Sequence, residues 1–228
     1  MGGIPGAPGA GVIDWRFTLE SVSFGDVRRL VRPVVLVLRE EDVAALPLLT
    51  AAQLVDSAAS GAPGVLRRQL LAALAARALG LPPADVRLTI DPRGRRMLGS
   101  GGVYASVAYR PGWVAAALAL APVGVDIETA AEAEAAGPVA LESFAGDDTA
   151  LASRHGPAGI WATKEASLKS RGRSLGSAPL LSPFPGSKIE IIALGQAHGL
   201  RCEAVAAVVF GEPASPLTLP SVWLGMRA

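Results

Sequence analysis

The chain contains a single cysteine, Cys202, and only 5% of its residues are aromatic. One thiol excludes an intramolecular disulfide and fits a reducing compartment, so we expect a cytoplasmic protein. The formal net charge is +1, which argues against a non-specific nucleic-acid or membrane binder. No apolar run approaches the ~18–20 residues of a membrane span. The Gly- and Pro-rich start lacks the basic-then-apolar layout of a signal peptide, so we expect none.

What is present is enough apolar sequence for a substantial core, since half of the 228 residues are hydrophobic. Alternating or β-branched apolar runs predict strands at 34–38, 86–91, 103–109, 113–120, 123–128, 188–194 and 202–210. Helices are predicted at 48–60, 66–79 and about 158–170, with further helical material around 139–153. We expect a flexible extension over 1–30, an α+β subdomain over 31–121 and a second over 122–228.

The segment GVDIE at 124–128 reads as a strand with two carboxylates on one face. Side chains two residues apart on a strand point the same way, so Asp126 and Glu128 should leave the strand together, away from the core. Two like charges side by side repel each other. A hard divalent cation with oxygen ligands, such as Mg²⁺, would offset that cost.

A third carboxylate, Glu165, lies in the helical segment WATKEASLK at 161–169. Glu165 and Lys169 are four residues apart and share a helix face. The simplest interpretation of that pair alone is a surface salt bridge worth about 0.2–0.5 kcal/mol. The intact GVDIE strand favours a functional interpretation instead.

Together these two segments resemble the 4′-phosphopantetheinyl transferases of the surfactin-synthetase type. The signatures of that family read roughly G-[VI]-D-[IV]-E and W-x-x-K-E-x-x-x-K. The resemblance implies a fold of two similar α+β subdomains related by pseudo-twofold symmetry, each a small, mostly antiparallel sheet packed with helices. It also implies a monomer that moves phosphopantetheine from coenzyme A to a serine of an apo acyl or peptidyl carrier protein, releasing 3′,5′-ADP.

The resemblance implies a role for each matching residue. Asp126, Glu128 and Glu165 would hold Mg²⁺. Glu165 could be a ligand, the general base that takes the serine proton directly or through water, or both. Lys164 and Lys169 would face the phosphates of coenzyme A, so that Glu165 and Lys169 form the catalytic pair. Trp161, at the start of the second signature, is expected to pack and hold the helix in place.

The nucleotide-binding half departs from the family pattern. Arg95, in Gly94-Arg95-Arg96, stands where the family has the lysine of a Gly-Lys-Pro-like turn. Ala108-Tyr109-Arg110 stands where the family has Ser-His-[ST], so Tyr109 and Arg110 are the candidates for coenzyme A contacts. Arg67 could replace a basic stretch that this chain lacks before its long helix.

Two other functions compete with transfer. The departures at Ala108 and Tyr109 motivate a catalytically silent family member that binds carrier protein or coenzyme A. An unrelated metal-dependent phosphohydrolase could use the same acids with water as the nucleophile. If transfer is correct, the sequence leaves open whether fatty-acid, polyketide or nonribosomal-peptide carriers are served. The basic turn at 171–173 is either a solvated loop or a contact for an acidic carrier helix.

Overall fold

The structure of the chain is a computed structural model that describes residues 33–44, 62–79, 86–98, 102–135, 149–173, 187–194 and 204–211. Over these ranges the protein is an α+β fold with antiparallel sheets. The expected N-terminal extension, the helix expected at 48–60 and Cys202 lie outside the described residues. The strands are β1 Val34–Arg39, β2 Leu88–Ile90, β3 Arg96–Leu98, β4 Val103–Arg110, β5 Trp113–Ala119, β6 Val123–Thr129, β7 Lys188–Leu194 and β8 Ala204–Phe210. The helices are α1 Glu40–Ala44, α2 Ala62–Leu79 and α3 Thr149–Ser170, and residues 130–135 are also helical.

The larger sheet has five strands in the order β1-β5-β4-β3-β2, and every neighbouring pair is antiparallel. β5 lies between β1 and β4 and is buried on both faces. Val114, Ala116 and Leu118 pack toward α1 and α2, while Ala115 and Ala117 point to the other side. This alternation explains why a run of small apolar residues forms a strand between two packed layers.

Helix α2 covers the outer face of the larger sheet. The expected stripe of Leu66, Leu70 and Leu74 is buried there against the sheet, as the 3.6-residue period requires. The helix begins four residues earlier than predicted. Pro63 is tolerated in its first turn because an N–H at that position would have no intrahelical acceptor.

The smaller sheet has three strands in the order β6-β8-β7, all antiparallel. One of its faces packs on the larger sheet through apolar residues such as Val125, Ile127 and Val208. The other face receives α3, where Ala162 and Ala166 pack against β8. The described elements therefore stack as helix, sheet, sheet and helix.

Most predicted elements are present, with shifted ends. The 86–91 strand is shorter than expected, and the predicted antiparallel pairing of β7 with β8 is confirmed. Helix α3 contains a break at Gly156, whose φ is 66°, followed by Pro157, so its second segment begins close to the predicted start. Among the described residues, no helix has the length and apolar character needed to cross a bilayer.

Candidate metal centre

Three carboxylates from two elements meet at one point. Asp126 and Glu128 come from β6 and Glu165 from α3, and one oxygen from each lies within 4.8 Å of the others. Asp126 and Glu128 share the face of β6 opposite Val125 and Ile127, as the alternation predicted. That face is covered by α3, so the acids are not on the surface: Asp126 is only 4% exposed and Glu128 only 2%.

Gly124 is what lets α3 approach β6 so closely. A Cβ at this position would lie 1.8 Å from the carbonyl oxygen of Ala166 and 2.8 Å from the amide nitrogen of Ser170. Both are backbone atoms of the helix, so no side-chain rotation can relieve the overlap. The glycine before the acids therefore sets the distance between the helix carrying Glu165 and the strand carrying Asp126.

Asp126 is held by a lysine on the same helix. Lys169 Nζ donates to Asp126 Oδ1 at 2.5 Å and to the carbonyl oxygens of Val125 and Val107 at 3.2 and 3.4 Å. Lys169 therefore joins β4 and β6 beneath the helix, and the structure pairs it with Asp126 and not with Glu165. The other carboxylate oxygen, Asp126 Oδ2, is buried without a hydrogen-bond partner.

Burial raises the pKa of Asp126 to about 7, against an ordinary value of 3.8. The charges of Lys169 and Arg110 lower this pKa, and the nearby Glu165 carboxylate raises it further. Burial of the charged form outweighs the two cations here. A divalent cation at Asp126 would favour the ionised form and displace its proton.

Glu128 is paired with an arginine from the larger sheet. Arg110 Nη2 donates to Glu128 Oε2 at 2.8 Å and lies 4.0 Å from Glu165 Oε1. Burial raises the pKa of Glu128, and its pairing with Arg110 opposes this. Burial alone would lower the pKa of Arg110, but its hydrogen bond to Glu128 and the surrounding acids raise it.

Trp161 has a polar role that the sequence did not suggest. Its indole N–H donates to Glu165 Oε1 at 3.0 Å, one helical turn away. The expectation that Trp161 only packs is therefore incomplete, because the side chain also orients the carboxylate. Lys164, expected to face phosphates, is buried and only 3% exposed.

Tyr109 does not join the carboxylates. Along β4, Arg110 reaches the acids, while the next side chain, Tyr109, packs on the helix-covered side of the larger sheet. Its hydroxyl donates to Glu40 Oε2 at 3.1 Å, at the start of α1. Gly112 N donates to the same oxygen, so Glu40 anchors the end of the β4–β5 hairpin.

Arg95 lies in a tight turn between β2 and β3. Its guanidinium pairs with Asp91 and stacks on the ring of Tyr104. Gly94 in this turn and Gly172 after α3 both adopt positive φ, and a Cβ on Gly94 would lie 2.5 Å from Gly172 O. The turn at 171–173 is therefore packed against the β2–β3 turn rather than being a free loop.

Arg67 lies on α2 and is partly buried. Burial lowers the pKa of Arg96, and the charge of Arg67 lowers it further. The second effect places the two guanidinium groups near each other. The helix carrying Arg67 packs on the outer face of the larger sheet, whereas Asp126 lies under α3 in the smaller one. The described contacts do not join Arg67 to the carboxylates.

The donor set fits a hard divalent cation. All three candidate ligands offer carboxylate oxygen, which Mg²⁺ and Mn²⁺ prefer. The unpartnered Asp126 Oδ2 supplies a second, independent indication, because a buried carboxylate oxygen without a partner is costly. The sequence pattern indicated these ligands. No sequence signal indicated that Val125 N, on the β4 side of β6, donates a hydrogen bond to Ser106 Oγ.

Neither the protein-family models nor the curated proteins that were compared with this chain match it.

Proposed function

We propose that this protein is a Mg²⁺-dependent transferase that moves phosphopantetheine from coenzyme A to a serine of an apo carrier protein. The observation that carries the proposal is the meeting of Asp126, Glu128 and Glu165 across β6 and α3. The two segments that supply these acids are the ones that resemble the two transferase signatures. Gly124 of the first signature and Trp161 of the second also have direct structural roles at this point.

In the proposed reaction, the serine oxygen forms a bond to the β-phosphorus of coenzyme A. The bond from that phosphorus to the oxygen bridging it to the α-phosphate breaks, and 3′,5′-ADP leaves. Bound Mg²⁺ would supply charge neutralisation on the pyrophosphate oxygens. Asp126, Glu128 and Glu165 would hold it.

Glu165 is the candidate to receive the serine proton, directly or through a water molecule. It is the most exposed of the three acids, with a side chain 15% exposed, and it lies within α3. Trp161 would fix one of its oxygens and leave the other for the cation or the proton. Lys169 would balance the charge of Asp126 rather than contact substrate phosphate, which revises the role that the resemblance gave it.

We also propose that the two sheets correspond to two related α+β subdomains with pseudo-twofold symmetry, as the resemblance implies. The supporting observation is that each sheet packs a helix on its outer face. The strands of the larger sheet end at Ala119, and those of the smaller one begin at Val123.

One observation favours the silent binding protein as a second candidate. Lys169 and Arg110 already supply two positive charges to the three acids. A protein stabilised in this way does not need a metal to relieve the repulsion. Such a protein would bind coenzyme A or carrier protein without transfer.

The test is mass analysis of apo carrier proteins of the fatty-acid, polyketide and peptide types after incubation with coenzyme A and Mg²⁺. We expect addition of one phosphopantetheinyl group with the wild type, and a loss of about 10³-fold in rate for Glu165→Gln. Glu134→Gln is the matched control, because Glu134 is an exposed acid on the nearby helical segment 130–135. Release of product from coenzyme A without any carrier would indicate the phosphohydrolase, and a folded protein that modifies no carrier would overturn the transferase.

A further inference from the structure

Arg110 occupies a position among the acids that the sequence alone does not explain. Its guanidinium contacts Glu128 at 2.8 Å, Glu132 at 3.4 Å and Glu165 at 4.0 Å. The side chain is 29% exposed, and its buried Nε has no hydrogen bond of good geometry. The arginine is therefore attracted to this cluster by charge but is incompletely bonded there.

Two of those three acids are also candidate metal ligands. Glu128 and Glu165 each have two carboxylate oxygens, and Arg110 approaches one oxygen of each. A divalent cation within reach of both would lie close to the guanidinium. The divalent cation and the Arg110 guanidinium would repel each other at such close range. Partial burial strengthens this repulsion because water screens it less.

We propose that Arg110 and the divalent cation compete for Glu128 and Glu165, and that the released guanidinium then binds a phosphate of the substrate. This inference rests on the proposed function, since it names the residue that couples metal binding to phosphate binding. Guanidinium groups pair with phosphate in a bidentate manner, as they do with carboxylate. The acceptor class is therefore a pyrophosphate such as that of coenzyme A.

The backbone at Arg110 is suited to such a side-chain movement. The hairpin end next to it is fixed by two contacts with Glu40: Gly112 N donates to its carboxylate, and Glu40 N donates to Gly112 O. β4 and β5 are paired through Arg110 and Trp113. The guanidinium can therefore turn from Glu128 toward a phosphate while its Cα stays in place.

The first experiment measures Mn²⁺ affinity by electron paramagnetic resonance for the wild type, Arg110→Gln and Arg110→Lys. Removing the competing charge should tighten Mn²⁺ binding by about tenfold, which corresponds to about 1.4 kcal/mol. Arg110→Lys keeps the charge and should stay near the wild type. Unchanged or weaker binding in Arg110→Gln would overturn the competition, and an equal gain in both variants would assign the effect to shape instead of charge and overturn it as well.

The second experiment measures binding of inorganic pyrophosphate in saturating Mn²⁺. Arg110→Gln should bind it about tenfold more weakly than the wild type, the opposite sign to its effect on the metal. A variant that binds Mn²⁺ more tightly but pyrophosphate equally well would refute the transfer of Arg110 to phosphate.

A measurement on the wild type applies even if Arg110→Gln does not fold. Titration with Mg²⁺ should shift the Nε–Hε resonance of Arg110 in a nitrogen-15 spectrum, and an unshifted resonance at Mg²⁺ saturation would overturn the competition. Neither Mn²⁺ nor pyrophosphate binding requires a carrier protein. If Arg110→Gln binds Mn²⁺ more tightly and pyrophosphate more weakly, but the wild type modifies no carrier protein, the transferase proposal is refuted and the proposed role of Arg110 is supported.

Discussion

Replacing Gly124 with alanine tests the geometry of the site without touching a charged group. The added Cβ would lie 1.8 Å from Ala166 O, whereas real Cβ contacts are essentially never shorter than 3.0 Å. Helix α3 would have to retreat by about 1 Å or more. Overpacking in a core costs about 1–3 kcal/mol, and the obstacle here is backbone, so we expect a loss near 3 kcal/mol or more.

The same retreat would separate Glu165 from the strand acids. Metal–ligand distances tolerate only about 0.2 Å, so Gly124→Ala should lose Mn²⁺ binding as well as stability. Urea denaturation and Mn²⁺ titration measure the two effects. Gly102→Ala is the control: it lies at the far end of β4 from Arg110, and its Cβ would meet nothing within 4 Å. Its positive φ should cost about 1–2 kcal/mol without changing Mn²⁺ affinity. A Gly124→Ala protein that loses less than about 1 kcal/mol of stability and binds Mn²⁺ normally would refute this geometry.

Three further predictions concern the side chains around the acids. In EDTA, wild-type stability should fall as the pH rises from about 4 to about 7. In this range Asp126 keeps its proton in the folded protein, where its pKa is about 7, but has lost it in the unfolded chain, where its pKa is 3.8. The free energy of unfolding should fall by at most about 4 kcal/mol, and the fall is complete above the pKa of the folded state. Urea denaturation of Asp126→Asn should show no such pH dependence. Lys169→Met should destabilise the protein by about 3–5 kcal/mol at pH 8, because it leaves the buried Asp126 carboxylate without its cation. A loss of stability below about 1 kcal/mol in urea denaturation would contradict the pairing of Lys169 with Asp126. Trp161→Phe should weaken Mn²⁺ binding by about threefold to tenfold. A hydrogen bond to a charged group is worth about 1.5–3 kcal/mol, and we expect a smaller effect here because this bond is only part-buried. Equal Mn²⁺ affinity would show that the indole N–H does not orient Glu165.

The strand and helix that carry the acids could be predicted because their patterns are local. Alternation of apolar and polar residues along β6 and a helical period before Ser170 place Asp126, Glu128 and Glu165 on the right elements. The antiparallel pairing of β7 with β8 follows from two adjacent apolar runs.

The burial of the acids could not be predicted, because it depends on which layer covers β6. The same alternation fits a strand whose polar face meets solvent and one whose polar face meets a helix. Only the contact of Gly124 with α3 distinguishes them, and it joins residues more than 40 positions apart in the chain. The partners of Lys169 and Arg110 were missed for the same reason, since both reach across from other elements.

The position of β8 between β6 and β7 could not be predicted from the sequence either. Sequence order favours pairing of neighbouring runs, and β6 instead pairs with the last described strand. That pairing leaves the other edge of β6 facing β4, where Ser106 and Lys169 bond its backbone. The cluster of carboxylates therefore depends on a non-local strand order.

The most direct test of the metal centre is Mn²⁺ binding followed by electron paramagnetic resonance on the wild type, Asp126→Asn, Glu165→Gln and Glu134→Gln. One tightly bound ion per chain is expected in the wild type and in Glu134→Gln, and none in the other two variants. No bound ion in the folded wild type, or equal binding in all four proteins, would contradict a metal centre formed by Asp126, Glu128 and Glu165.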